Sequence, residues 1–200
     1  MLKLKPRIYQ QVIFNTTLLN NSLVVLPTGL GKTAIALMLT IKRLDSYPES
    51  KILMLAPTKP LCEQHKKTFE ENIGETLLLT GSITPEKRKT LWENAKIIVS
   101  TPQTVENDLI SSRISLDDVS LVVFDEAHRA TGNYSYVFIA SRYKKTAKYE
   151  RILALTASPG SDIEIINDVM NNLNIEKIEV RTFEDPDVKE YTFNAELNWI

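Results

Sequence analysis

Leu26-Pro27-Thr28-Gly29-Leu30-Gly31-Lys32-Thr33 is the stretch whose reading decides the fold. Just before it comes Leu23-Val24-Val25-Leu26, a continuous apolar run of the kind found in strands buried on both faces. Just after it, Ala34 to Leu44 has the length and composition of a helix. A buried strand, a two-glycine turn and a helix opening with Lys-Thr form the phosphate-binding loop arrangement. Glycines let the backbone curl until its N–H groups face phosphate oxygens, and the helix N-terminus adds positive potential. Lys32 then reaches the β- and γ-phosphates, while the Thr33 hydroxyl serves Mg²⁺. Strict G-x-x-x-x-G-K-[ST] loops begin with glycine, where this chain has Leu26.

The same alternation continues outward. Ile52–Ala56, Leu77–Leu79, Ile97–Val99, Leu121–Phe124 and Ile152–Leu155 are short continuous apolar runs, and Ile175–Val180 is a weaker one. Segments such as Cys62–Asn72 and Pro85–Trp92 read as helices between them. Strand alternating with helix predicts an α/β fold, an open and mostly parallel sheet with helices on both faces. Ligands in such sheets gather at the carboxyl ends of the strands, so the residues just after each run carry the chemistry. Those ends are Pro27-Thr28-Gly29, Pro57-Thr58-Lys59-Pro60, Thr80-Gly81, Ser100-Thr101-Pro102, Asp125-Glu126-Ala127-His128 and Thr156-Ala157-Ser158-Pro159. Helix starts favour Thr, Ser and Pro, which accounts for the Thr-Pro pairs but not for the Asp-Glu pair.

Asp125 and Glu126 follow the most apolar strand. Adjacent residues at a strand end point in different directions, so Asp125 can face a metal shell while Glu126 addresses an attacking water. Hydrolysis of a γ-phosphate needs both functions. Taken alone, the pair would read as helix-cap residues; a phosphate loop upstream favours the catalytic reading. His128 has only His65 and no cysteine to join it in a zinc site, so it is expected to bond Thr156 or Ser158 across the sheet edge.

Composition bounds the rest. In 200 residues, 43% are hydrophobic and 24% charged, which excludes disordered, collagen-like and coiled-coil chains and suits one core. Lys plus Arg is 24 against 25 for Asp plus Glu, so there is no basic excess of a dedicated nucleic-acid binder. Any phosphate backbone must be met by local groups and main-chain amides. With one cysteine, Cys62, neither an internal disulfide nor a cysteine zinc site can form. The start lacks a signal-peptide core, and no apolar run approaches the ~20 residues of a membrane span, so the chain reads as cytoplasmic.

Taken together, the motifs resemble those of a superfamily-2 helicase of the DEAH type. Leu26–Thr33, Asp125-Glu-Ala-His128 and Thr156-Ala-Ser158 look like motifs I, II and III. Ala56-Pro-Thr-Lys59 resembles motif Ia, Thr80-Gly81 the "TG" element, Thr101-Pro-Gln103 motif Ib, and Pro6-Arg-Ile-Tyr-Gln10 a Q-type motif. The wording of Thr101–Asp108, Asp125–Ala130 and Leu155–Gly160 is similar to the archaeal Hef and Fanconi-anaemia group M-like family, and more distantly to Dicer and the RNA-sensing helicases. The resemblance covers about residues 5 to 190.

It implies a RecA-like P-loop NTPase fold and an ATP-dependent motor on forked or branched DNA, nucleoid-associated in a prokaryote, with ATP and Mg²⁺ as cofactors. Lys32, Asp125, Glu126 and His128 would be catalytic, and Thr33 and Asp125 would hold Mg²⁺, partly through water. Arg7, Gln10, Thr28, Gly29, Leu30, Gly31, Lys32 and Thr33 would bind the nucleotide, Gln10 reading the adenine edge. Thr58, Lys59, Thr80, Gly81, Thr101 and Gln103 would line the track of one nucleic-acid strand, and Thr156 and Ser158 would couple the two sites. A second RecA-like domain would supply arginines, so residues 1–180 are expected to form motor domain 1 and 181–200 a linker or extension toward it. The apolar end at Trp199-Ile200 suggests a following element. An RNA-directed relative, a small P-loop kinase and a non-catalytic nucleotide-gated module remain the alternatives.

Three features have ordinary structural readings. Lys87-Arg88-Lys89 and Arg142-Tyr143-Lys144-Lys145 read as solvated helix faces. Cys62 reads as a small buried residue, and Trp92 and Trp199 as packing residues.

Overall fold

The computed structural model describes residues 5–158 and 163–196. Its elements run α1 (Ile8–Leu19), β1 (Ser22–Val25), α2 (Lys32–Ser46), β2 (Lys51–Leu55), α3 (Lys59–Asn72), β3 (Leu77–Leu79), α4 (Pro85–Asn94), β4 (Ile97–Ser100) and α5 (Pro102–Ile110). They continue with β5 (Val119–Phe124), a 3₁₀ turn (Ala127–Arg129), α6 (Ser135–Thr146), β6 (Ile152–Thr156), α7 (Ile163–Asn172), β7 (Lys177–Val180) and α8 (Pro186–Glu196). The expected strand series is present, and every described strand pair is parallel. The spatial order is β3-β4-β2-β5-β6-β1-β7.

The continuous apolar runs are explained by two cores, one on each face of the sheet. Alternate side chains leave a strand in opposite directions. Leu23, Leu53, Ile98, Val122 and Ala154 therefore pack with Trp92, Val105, Ile139 and Tyr143, under α4 to α6. Val24, Met54, Val99, Val123 and Leu153 pack with Tyr9, Ile13, Ile35, Leu39 and Phe69, under α1 to α3. β1 lies between β6 and β7, while β2 lies beyond β5, so the chain leaving β1 crosses two strands to re-enter the sheet.

Two expectations change. The segment after Val180 holds α8, where Val188 is fully buried and the Tyr9 and Tyr191 rings meet edge to face at 5.8 Å. Burying one such aliphatic side chain gives about 1.5–3 kcal/mol, which is why a charged segment folds back onto α1. The Lys87-Arg88-Lys89 cluster is not a uniformly solvated face either. Arg88 is buried and forms a two-bond ion pair with Asp108, Nε to Oδ2 at 2.6 Å and Nη2 to Oδ1 at 2.7 Å. In the other cluster, Tyr143 is buried and donates to Val119 O, while Arg142, Lys144 and Lys145 are exposed as expected. Trp92 and Cys62 are buried. Trp199-Ile200, Pro159-Gly160 and the first four residues lie outside the described residues. Among the described residues no helix is long and apolar enough to cross a membrane.

Candidate functional site

The loop after β1 is held open by its two glycines. Gly29 has φ +90° and Gly31 φ +77°, conformations that cost an L-residue side chain about 1–2 kcal/mol. Gly31 is also the N-cap of α2 and offers no side-chain acceptor there. Among the described residues, the N–H groups of Gly29, Gly31, Lys32 and Thr33 donate to no main-chain acceptor, and the Thr33 hydroxyl makes no hydrogen bond. Unspent donors at a helix N-terminus are an anion site. Lys32 Nζ donates to Leu26 O at 2.9 Å, so the lysine folds back over the loop. Burial pulls its pKa down from the ordinary value, against the opposing charges of Asp125 and Glu126.

α1 braces this loop from behind. Gln10 is 5% exposed; its Nε2 donates to Leu30 O at 3.0 Å and its Oε1 accepts from Arg7 N at 2.9 Å. Tyr9 Oη, which the sequence motifs do not single out, donates to the same Leu30 carbonyl at 2.7 Å. Leu30 N donates to Pro27 O, so both main-chain groups of Leu30 shape the loop. Arg7 lies over the Tyr191 ring at 5.2 Å and donates to Tyr9 Oη at 3.2 Å.

Asp125 and Glu126 follow β5. Glu126 holds the N-cap position of the 3₁₀ turn, but at φ 50°, left-handed, and its side chain makes no capping bond. A non-glycine residue held there stores strain of order 1–3 kcal/mol, a feature that clusters at active sites. The strained step separates the two carboxylates. Asp125 is 7% exposed and takes a hydrogen bond from His65 Nε2 at 2.7 Å, while the Glu126 side chain is one-third exposed. His128 Nδ1 lies 3.1 Å from Thr156 Oγ1, the contact expected, and 3.4 Å from Glu126 Oε2. Thr156 Oγ1 in turn donates to Ser158 O at 2.8 Å, so the ends of β5 and β6 are joined.

The partner of Asp125 was missed by sequence reasoning, although a signal existed. Cys62, His65 and Phe69 are the buried stripe of α3, and a histidine there needs a polar neighbour. Thr33 and Asp125 offer hard oxygen donors suited to Mg²⁺, which takes only one or two protein carboxylates alongside phosphate oxygens. Among the described residues no three of His, Cys, Asp and Glu gather into a richer metal site.

The remaining residues sit on the other half of the same sheet edge. Thr58 caps α3, its Oγ1 accepting from Leu61 N, and Lys59 beside it is exposed. Thr80 Oγ1 and Ser82 Oγ are 2.7 Å apart; Gly81 is exposed with open space around it. Thr101 is the N-cap of α5, with Pro102 behind it, and its hydroxyl bonds Thr104 Oγ1 at 2.8 Å rather than the main chain. Gln103 is exposed. Along the edge the order is therefore Thr80-Gly81, Thr101–Gln103, Thr58-Lys59, Asp125–His128, Thr156–Ser158, then the phosphate loop. Ser100 Oγ donates to Leu79 O, and Arg88 Nη1 donates to Ile83 O, so the first two stations are tied together.

Comparison with known proteins identifies the fold and the family. The DEAD/DEAH box helicase family profile matches residues 7–166. The crystal structure of the Pyrococcus furiosus Hef helicase domain superposes with a TM-score of 0.90 at 55% identity, covering 93% of this chain and 40% of that one. A Methanocaldococcus jannaschii protein named "Putative ATP-dependent RNA helicase MJ1505" is 46% identical over 97% of this chain. The ATP-dependent DNA helicase mph1 of Sclerotinia sclerotiorum is 41% identical over the same share. The chain spans 25% and 16% of the length of those two relatives. With that family profile matched over residues 7–166, the chain belongs to the DEAD/DEAH box helicase family.

Proposed function

We propose that this chain is the ATP-binding motor domain of an ATP-dependent DNA helicase or translocase that acts on forked or branched DNA in replication-fork repair. One observation carries the reading: a single sheet edge bears a phosphate loop at one end and a row of threonine-bearing helix starts at the other, with Asp125 and Glu126 between them. The loop N–H groups and Lys32 would bind the ATP phosphates, a γ-phosphate adding to the charge of Asp125 and Glu126 that offsets the desolvation of the Lys32 ammonium. Thr33 and Asp125 would hold Mg²⁺, which would supply charge neutralisation for the phosphates. Glu126 orients the attacking water and accepts its proton. His128, through Thr156 and Ser158, couples the nucleotide to the track. Gln10 would read the adenine edge and Arg7 would pack near the base, as the family resemblance implies.

Thr58, Lys59, Thr80, Gly81, Thr101 and Gln103 position one strand through its phosphates, without reading sequence. Such contacts suit a chain with net charge −1. Residues 1–180 form the motor domain, and 181–200, which docks on it through Val188 of α8, leads on toward a second RecA-like domain whose arginines complete the site. In related NTPases such arginines contribute on the order of 10³–10⁵ in rate. The isolated chain is therefore expected to bind ATP weakly, hydrolyse it poorly and not unwind. An RNA-directed motor is the second reading, favoured by the name of the M. jannaschii relative. ATP turnover of the full-length protein, measured with forked DNA and with duplex RNA, tests the proposal. Stimulation by forked DNA supports it, and stimulation by duplex RNA alone replaces it with the second reading.

A further inference from the structure

His65 has no part in the chemistry above, yet it is 7% exposed and 2.7 Å from the carboxylate of Asp125. An ionised carboxylate only accepts, so His65 Nε2 carries the proton and donates. Among the described residues this is the one hydrogen bond made by the Asp125 carboxylate; its main chain is held separately, N to Leu55 O at 2.9 Å and O from Tyr136 Oη at 2.7 Å. The backbone of Asp125 is thus fixed by the sheet and α6, whereas its carboxylate is oriented by α3. Oδ2 is spent on His65, and Oδ1 keeps its lone pairs.

α3 opens at the sheet edge. Its N-cap is Thr58, its first residue is Lys59, and His65 follows Thr58 by two turns, on the same face. Cys62 and Phe69, one turn to either side, are fully buried, so the helix is packed as one rigid rod against the sheet. A displacement of its first turn cannot be absorbed before His65, because close-packed interiors transmit shifts rather than damp them.

The geometry points to His65 as a positioning residue that links the two halves of the edge: a strand seated on Thr58 and Lys59 sets, through α3, the orientation of the Asp125 carboxylate. This rests on reading Asp125 as the metal-holding carboxylate and Thr58-Lys59 as track. Partners one bond behind a metal ligand typically change metal affinity or activity by 10–100-fold when removed. The effect here falls on coupling, since His65 touches neither ligand.

The test uses the full-length protein with His65→Leu, which keeps bulk but no donor, and His65→Gln, which restores an N–H. Affinity for a fluorescent non-hydrolysable ATP analogue is measured at several Mg²⁺ concentrations, with and without forked DNA, beside DNA-stimulated turnover and DNA affinity. For His65→Leu the expected result is at least tenfold lower stimulated turnover and a higher Mg²⁺ requirement for analogue binding. DNA should no longer tighten analogue binding, while DNA affinity stays within twofold. His65→Gln should recover most of each. Unchanged Mg²⁺ dependence and unchanged tightening in His65→Leu would overturn the inference, as would equal losses in both variants. If the wild type itself ignores DNA, the functional reading fails and the inference with it.

Discussion

Replacing Gly31 by alanine separates steric from conformational demands in the phosphate loop. The residue sits at φ +77°, so the methyl group costs about 1–2 kcal/mol of backbone strain. The new Cβ would also overlap Gln10 Nε2. That amide is not a free side-chain end: it is buried, donates to Leu30 O and accepts from Arg7 N. Dislodging it forfeits a buried polar partner at about 1–3 kcal/mol. Leu30 O keeps its bond from Tyr9 Oη, which limits the loss. Gly29 is the matched control, with φ +90° but open space where a methyl group would stand. Gly31→Ala should therefore lower stability by roughly 2–5 kcal/mol and Gly29→Ala by roughly 1–2. At about 2–4 °C per kcal/mol for a domain of this size, the Tm values of the two variants differ by several degrees. Thermal melting of both, alone and combined with Gln10→Ala, is the assay. In the Gln10→Ala background the extra cost at Gly31 should vanish. Equal Tm losses for the two glycines, or a Gly31 cost that survives removal of Gln10, would refute the reasoning.

Glu126→Gln in the full-length protein should leave ATP binding intact and lower turnover by about 10²–10⁴, the range of a lost general base; direct binding beside steady-state turnover checks it. Arg88→Met strands a buried Asp108 and should cost about 3–5 kcal/mol, with Arg113, 3.7 Å away, favouring the lower end, whereas Arg88→Met with Asp108→Leu should cost less in chemical denaturation. Burial pushes the Cys62 thiol up to about 11. A thiol ordinarily titrates near about 8.5, so the folded chain should resist alkylation at pH 8 until it unfolds. By linkage, the stability Cys62 contributes is complete below about pH 8.5 and erodes as the pH rises toward 11, which denaturation across that range will show.

The strands were legible because both of their faces are buried, so each is a continuous apolar run such as Ile52–Ala56 or Leu121–Phe124. The phosphate loop was legible because its chemistry lies in eight consecutive residues. What escaped depends on partners distant in the chain. A Lys-Arg-Lys triplet reads as solvated until Asp108, twenty residues on, is brought beneath Arg88. His65 reads as a lone histidine until β5 delivers Asp125 sixty residues later. The segment Arg181–Glu190 reads as linker because its charges outnumber its apolar residues, yet one buried Val188 docks it on the domain. Strand order, too, is a property of crossovers rather than of any run, and it alone puts Asp125 between the phosphate loop and the track.

On the proposed function, the nucleotide half answers to nucleic acid and needs a second domain to turn over. The most direct test is ATP hydrolysis by the 200-residue chain and by the full-length protein, each with and without forked DNA. The full-length protein should be strongly stimulated by the fork, and the chain alone should bind nucleotide yet show almost no stimulated turnover. Robust fork-stimulated hydrolysis by the chain alone, or a full-length enzyme indifferent to DNA, would contradict it.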